Sequence, residues 1–243
     1  MSKFKPNQLV YVPSSLLPDG DREIFAMVRK RVNSVSARSI KVDLPGGIVS
    51  GSIGSSKAHA KIGIAIISIG DFDTEISLIS PLSKSILQFS RLLLPDDHIA
   101  SVTIRSLAEL SGWWNRYQKG YTHIILIGHG DSTALYFGVG GATTPTQIGA
   151  SLSPIGADKK IFISLCCEHG MPPFASDFSN LPFCDSLIAP ESSIHGAAAS
   201  QFVQTILNLH LLQGKSKKVA YNNANDLLPG KESFSMWQNG KKI

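Results

Sequence analysis

Apolar runs of strand length, each ending in small or polar residues and separated by helix-spaced stretches, leave this chain few folds to choose from. Residues 122–131 read Thr-His-Ile-Ile-Leu-Ile-Gly-His-Gly-Asp, and residues 160–170 read Lys-Ile-Phe-Ile-Ser-Leu-Cys-Cys-Glu-His-Gly. Both runs are too short to span a membrane, and the first is too β-branched for a preferred helix. Ile62 to Ile69, Ile99 to Ile104 and Ser186 to Ala189 add three more strands. Between them lie helical patterns. Pro81 to Leu94 places Leu82, Ile86, Phe89 and Leu93 on one face, with a proline at the start and Pro95 just past the end. Leu107 to Tyr117 carries Leu107, Leu110, Trp114 and Tyr117, and Gly120 closes it. Ala197 to Leu212 carries Ala198, Phe202, Ile206 and Leu209 and is followed by Gly214; a last helix is expected over Ser216 to Leu227. Strands that are apolar throughout are buried on both faces, so the alternation predicts an α/β fold with a mostly parallel sheet flanked by helices. The carboxyl ends of such strands form the expected site edge, where His129, Cys166 and Cys167 fall.

The first 58 residues follow another rhythm. Gln8 to Val12 reads as a strand closed by Pro13, and Ile24 to Val35 mixes Phe25, Met27 and Val28 with basic residues. Ser39 to Leu44 alternates as a half-buried strand does; Pro45-Gly46-Gly47 makes a turn, and Ile48 to Ile53 reads as the returning strand. Short strands with turns predict a small, separable, barrel-like β domain over residues 1–58. Gly54-Ser55-Ser56-Lys57 is read as the linker to the main domain, residues 61–243. Within that domain, Ala134 to Val139 suggests a hairpin arm, Thr146 a helix cap, and the proline-bearing residues 171–183 an ordered loop.

Composition excludes whole classes. Hydrophobic residues make up 43% of the 243 and charged residues 17%, enough apolar content for a full core and too little charge for a disordered chain. Residues 1–6 lack the apolar stretch of a signal peptide, and three cysteines, two of them adjacent, make no disulfide framework. A reducing cytoplasm, without membrane association, is therefore the expected setting. The net charge of +5 falls in short groups, Arg29-Lys30-Arg31, Lys215 with Lys217-Lys218, and Lys241-Lys242. These read as solvated faces rather than a nucleic-acid surface.

A histidine and a cysteine at the tips of two core strands suit nucleophilic catalysis. A thiolate is a strong nucleophile, but a thiol is largely protonated at neutral pH, so a nearby imidazole is needed to shuttle protons. Taken singly, each cysteine reads as a small buried hydrophobe and His129 as a turn residue; their joint placement favours a site. A zinc site from Cys166, Cys167, His169 and Cys184 is the metal alternative, but adjacent cysteines do not match common ligand spacing. Neither metal nor cofactor is expected. His123, His195 and His210 are read as structural, and Trp113 and Trp114 as core and helix surface. No serine elbow, Walker loop or dinucleotide fingerprint is present.

Ile127-Gly128-His129-Gly130 followed by Cys166-Cys167-Glu168-His169-Gly170 resembles the caspase-like cysteine peptidases, the clan of caspases, metacaspases, legumains and separases. Their pattern is an apolar strand ending in His-Gly, then one ending in a small residue and cysteine. The C-terminal part, with Ala189-Pro190, a helix bearing Phe202, Gly214, and a helix with Ala220 and Ala224, looks closest to the bacterial CHAT proteases. The resemblance covers about residues 61 to 230. It implies a caspase-like sheet and an intracellular endopeptidase with His129 as proton shuttle, and with the N–H groups of Gly130 and the cysteine as oxyanion donors. A protein substrate is implied, with a protein activator or upstream protease, in some relatives within bacterial immunity. Cys167 matches the Cys-x-x-Gly spacing and is the favoured nucleophile; Cys166 is the alternate. Relatives carry a polar residue two places before the cysteine, at the specificity pocket. Ser164 fills that place for Cys166, whereas Leu165 departs from it for Cys167. Asp131 and Asp185 are candidates to attract a basic substrate side chain, set against a plain loop role. The rival function is a catalytically silent scaffold that binds, or is cleaved by, a partner protease.

Overall fold

The computed structural model of the chain describes residues 3–18, 24–152, 158–229 and 232–243. Its organising element is a seven-stranded sheet. Five strands are parallel: β5 (Ile64–Ile69), β6 (Ile99–Ile104), β7 (His123–Ile127), β11 (Lys160–Ser164) and β12 (Cys184–Pro190). They lie in the order β6-β5-β7-β11-β12. Two antiparallel strands, β13 (Phe234–Gln238) and β14 (Lys241–Lys242), extend the β12 edge. The architecture is thus α/β with a mixed, mainly parallel sheet, plus a small N-terminal antiparallel sheet.

Side-chain alternation along the central strands builds two cores. Ile64 and Ile66 of β5, Ile125 and Ile127 of β7, and Ile163 with Leu165 of the β11 run face one side. There α1 (Ser80–Leu93) buries Leu82, Ile86 and Leu93, and α5 (Gly196–Leu207) buries Phe202, Val203 and Ile206. Phe202 stacks on Phe234 with ring centroids 3.6 Å apart. Ala65, Ile67, Ile124, Leu126, Phe162 and Cys166 face the other side. That side is covered by α2 (Leu107–Tyr117), α3 (Pro145–Ser151) and α4 (Phe174–Ser179) through Trp114, Ile148, Phe174 and Phe178. Full burial of one large apolar side chain is worth about 1.5–3 kcal/mol, so the two layers together hold the sheet.

Capping explains the helix bounds. Ser106 and Ser216 accept hydrogen bonds from Glu109 N–H and Val219 N–H, starting α2 and α6 (Lys217–Asn225). The cap of α3 is Thr144 rather than Thr146, because Gln147 completes a reciprocal capping box with it. Residues 171–183, expected to be a loop, contain the short α4; three prolines masked Phe174 and Phe178, which pin it to the sheet. The expected helix over Ala197 to Leu212 is α5 followed by a π-turn at Asn208–Leu212. Ala134 to Val139 does form a hairpin arm, with β8 (His129–Gly130), β9 (Leu135–Phe137) and β10 (Gly141–Thr143).

The N-terminal sheet is a meander of β1 (Leu9–Pro13), β2 (Met27–Val35), β3 (Ser39–Val42) and β4 (Ile53–Gly54). Its own core holds Val10, Val12, Val32, Ile40, Val42 and Ile53. After β4 the chain returns to β1 through a bridge between Tyr11 and His59. The expected linker is an ordered 3-10 turn, and Ser55 N–H donates to the Arg38 carbonyl. Ala26 and Met27 belong to the main core, and Tyr11 Oη lies 3.2 Å from His98 Nε2. Among the described residues, no helix is long and apolar enough to cross a membrane.

At the amino end of the sheet, away from the expected site, the His210 ring meets two others, His59 at 5.8 Å and His123 at 5.5 Å between centroids. Burial, foremost, lowers the pKa of all three. His59 is held down to about 3, and the neighbouring rings and Lys3 add to the effect.

Candidate active site

Parallel strands β5, β7 and β11 end side by side, so whatever follows each strand meets at one edge. After β7 comes Gly128-His129-Gly130. Neither glycine has a positive φ; both are needed for close approach. A Cβ on Gly128 would come within 2.8 Å of Ile69 Cβ, and one on Gly130 would collide with His169 Nε2 and come within 2.8 Å of the Ala134 carbonyl oxygen. The pair therefore lets the His129 backbone sink between β5 and the 165–170 turn, while the imidazole stays 38% exposed.

The tautomer of His129 can be read from its partners. Its Nε2 lies 2.6 Å from Thr74 Oγ1 and 3.2 Å from Asp71 Oδ2. The Thr74 hydroxyl spends its one hydrogen on Asp71 Oδ2, at 2.6 Å, so toward His129 it must accept. Nε2 therefore carries the hydrogen, and the lone pair is on Nδ1, which has no hydrogen-bond partner among the described residues. The Asp71 carboxylate is fixed in turn by N–H groups of Asp73 and Thr74 at its Oδ1. Burial pushes the Asp71 carboxyl up, but the bonds from Thr74 and Asp73 and the nearby His129 outweigh it, leaving it below its ordinary value. Arg105 Nη2 grips both oxygens of Glu75, at 2.6 and 2.8 Å, and so clamps the segment bearing Asp71 and Thr74. Sequence reasoning missed Asp71 and Thr74. The available signal was Gly70-Asp71 directly after an apolar strand, at the same edge as His129.

The second tip is a tight turn after β11. Leu165 N–H still donates to Leu126, so the strand alternation persists past Ser164. Leu165 accordingly faces the α1/α5 side, Cys166 the α2/α4 side, and Cys167 the α1/α5 side again. Cys166 is fully buried, and burial pushes its thiol up to about 12, which makes it a core residue. Glu168 takes φ +60°, a conformation uncommon outside glycine, to reverse the chain. Gly170 follows, where a Cβ would meet the carbonyl oxygens of Ala189 and Pro190. The Cys-x-x-Gly spacing is thus a steric requirement of this turn.

His169 anchors the turn and does no chemistry. It is fully buried and stacks 3.6 Å from Phe174; its Nε2 donates to the Ala134 carbonyl and its Nδ1 accepts from Ser164 Oγ. Burial holds it neutral, at about 3. Ser164 is consumed by this bond and by Cys166 N–H, so it shapes no substrate pocket. The zinc alternative fails on the same facts: both His169 nitrogens are engaged, Cys166 and Cys167 point to opposite faces, and Cys184 pairs in register with Lys160 at the other end of the sheet. No group of three or more potential ligands suits a metal among the described residues.

His129 and Cys167 line one cavity of about 210 Å³, with Gly128, Ile127, Leu165 and Ser193 among its other walls. Cys167 Sγ lies 3.5 Å from Ser193 Oγ, and Cys167 N–H makes no hydrogen bond among the described residues. Gly130, in β8, directly follows His129 but is not among the described residues that line the cavity. The two aspartates lie elsewhere. Asp131 accepts bonds from Thr133, Ala134 and Tyr136 and closes the hairpin turn. Asp185 pairs with Lys217 near the amino end of β12. His195 caps α5 by accepting from Ala197 N–H, Trp114 is buried in the core, and Trp113 stacks on Tyr121.

No protein-family model matches the sequence, and no curated protein matches it. Among solved structures, the chain is similar to an inactive zymogen C11 protease from Parabacteroides distasonis, at 12% sequence identity and a TM-score of 0.48. The match covers 73% of this chain and 61% of that one, so the chain spans about three-fifths of the protease's length. The similarity assigns no residue a role.

Proposed function

We propose that the chain is a cysteine endopeptidase of the caspase-like kind, closest to the CHAT proteases, with Cys167 as nucleophile and His129 as proton shuttle. The observation that carries this reading is the shared cavity: an accessible thiol and an imidazole with a free Nδ1 lone pair, delivered by neighbouring strand ends, while Cys166 is buried on the opposite face. His129 Nδ1 takes the Cys167 proton and the sulfur attacks the scissile carbonyl carbon. The oxyanion is met by Cys167 N–H and Gly130 N–H. The C–N bond then breaks as the imidazolium gives its proton to the departing amine. Water, deprotonated by His129, attacks the thioester, and the thiol re-forms with the acid product released. Asp71, through Thr74, holds the imidazole in the required tautomer. The substrate is a protein, and a protein activator or upstream protease is the expected partner, in a setting such as bacterial antiviral defence.

The test is peptide-library cleavage by the full chain, alone and with candidate activators. Cys167→Ala should remove cleavage, and His129→Ala should lower it by about 10²- to 10⁴-fold. Cleavage that survives Cys167→Ala would refute the assignment. Absence of cleavage under every condition would favour the scaffold reading.

A further inference from the structure

The cavity beside Cys167 is lined mainly by apolar side chains, with His129, Cys167 and Ser193 as its polar groups. Ile127 and Leu165, at the ends of β7 and β11, form its floor; Ile79 and Leu82 form one wall, and Ile194 and Ala199 the other. Leu78 stands at the rim, 40% exposed. Among the described residues, no lysine, arginine, aspartate or glutamate lines it, and the titratable groups that do are His129 and Cys167. At about 210 Å³ it suits a single side chain rather than a length of peptide. It adjoins a wider groove between α1 and α5, with which it shares Leu78, Leu82, Ile194 and Gly196. That groove carries Ser77, Ser85, Ser200, Gln201 and Gln204, which can hydrogen-bond the neighbouring stretch of peptide.

We infer that this cavity receives the side chain of the residue whose carbonyl Cys167 attacks, and that it selects an uncharged apolar side chain of about leucine or methionine size. The inference rests on the peptidase reading of Cys167 and His129. An ionised side chain placed there would lose its water and find no carboxylate or cationic side chain of lysine or arginine among the described lining residues: Asp131 closes the hairpin turn, Asp185 is bound to Lys217, and Asp71 is engaged by Thr74 and His129. An apolar side chain would cover the exposed parts of Leu78 and the cavity wall. Leu165, the departure from the polar residue of related pockets, then becomes the specificity-determining floor, with Leu78 as its outer edge.

Peptidyl chloromethyl ketones that differ only in the residue bearing the ketone test this. In each, the Cys167 sulfur forms a bond to the methylene carbon and chloride leaves. The full-length protein is treated with leucine, methionine, arginine, lysine and aspartate versions, and separately with iodoacetamide, which has no side chain to place. Adducts at Cys167 are followed by mass spectrometry. The leucine and methionine probes should react at least about tenfold faster than the charged ones, the scale on which apolar pockets discriminate. Leu78→Asp, a change at a half-exposed rim that spares the core, should move the preference toward arginine. The inference is overturned if iodoacetamide labels Cys167 while a charged probe matches or exceeds leucine, or while no peptidyl probe reacts. If iodoacetamide itself fails at Cys167, the peptidase reading fails and this inference falls with it.

Discussion

The relay Asp71–Thr74–His129 makes a claim about single atoms: Nε2 is the hydrogen-bearing nitrogen because Thr74 has already given its hydrogen to Asp71. Thr74→Val removes the acceptor at that nitrogen, and Asp71→Asn removes the charge behind it. A hydrogen bond to a charged group is worth about 1.5–3 kcal/mol, and the partial exposure of His129 argues for the low end, about tenfold in rate. Both variants should lower kcat with little change in KM, and Thr74→Ser should restore most of it. An equal rise in KM, or no rescue by serine, would make the relay a packing feature. His129 and Cys167 were legible as residues because each ends an apolar run. Their helpers were not: nothing in Asp71-Phe72-Asp73-Thr74 announces that a turn will aim one hydroxyl at a ring 55 positions away. His169 was misleading for the complementary reason. Its place in a Cys-Cys-Glu-His string suggests a ligand, whereas burial against Phe174 makes it a neutral strut.

At the scale of elements, the strands that carry the site were readable because burial on both faces demands continuous apolar runs. The C-terminal hairpin was passed over, although Asn239-Gly240, both at positive φ, is a strong hairpin signal. Phe234, Met236 and Trp237 of β13 extend the sheet only because tertiary packing offers β12 an antiparallel neighbour. The histidines that brace the start of β7 and the turn after β11 impose a pH dependence on these elements. His59, His123, His169 and His210 all have folded pKa values below the ordinary 6.5. A lowered histidine pKa means the unfolded chain takes up protons first, so the stability it contributes is complete above about pH 6.5 and is lost as pH falls toward the folded values. Each fully depressed site withdraws up to about 1.4 kcal/mol per pH unit in that window. Denaturant midpoints should therefore fall steeply between pH 7 and pH 5; a flat profile would show that the rings take up protons without unfolding.

For the whole molecule, the sequence suggested a detachable N-terminal module, because its strand rhythm differs from the rest and small polar residues follow it. Its contacts argue for a joined structure. Ala26 and Met27 complete the core under α1, Tyr11 reaches His98, and Ser15 Oγ donates to the Leu212 carbonyl. A fragment of residues 61–243 should accordingly lose cooperative unfolding or aggregate; a soluble fragment with the melting temperature of the full chain would establish independence instead. The folded whole also decides which thiol meets solvent, and that selection is the centre of the account. Cys166 and Cys184 are fully buried, and burial pushes both thiols up, while Cys167 opens into the His129 cavity. The most direct measurement is time-resolved iodoacetamide alkylation of the native full chain, mapped by peptide mass spectrometry, in wild type and His129→Ala. Cys167 should be modified first and alone, and should react more slowly once His129 is removed. Modification of Cys166 at an equal or greater rate, or a Cys167 rate indifferent to His129, would contradict the account.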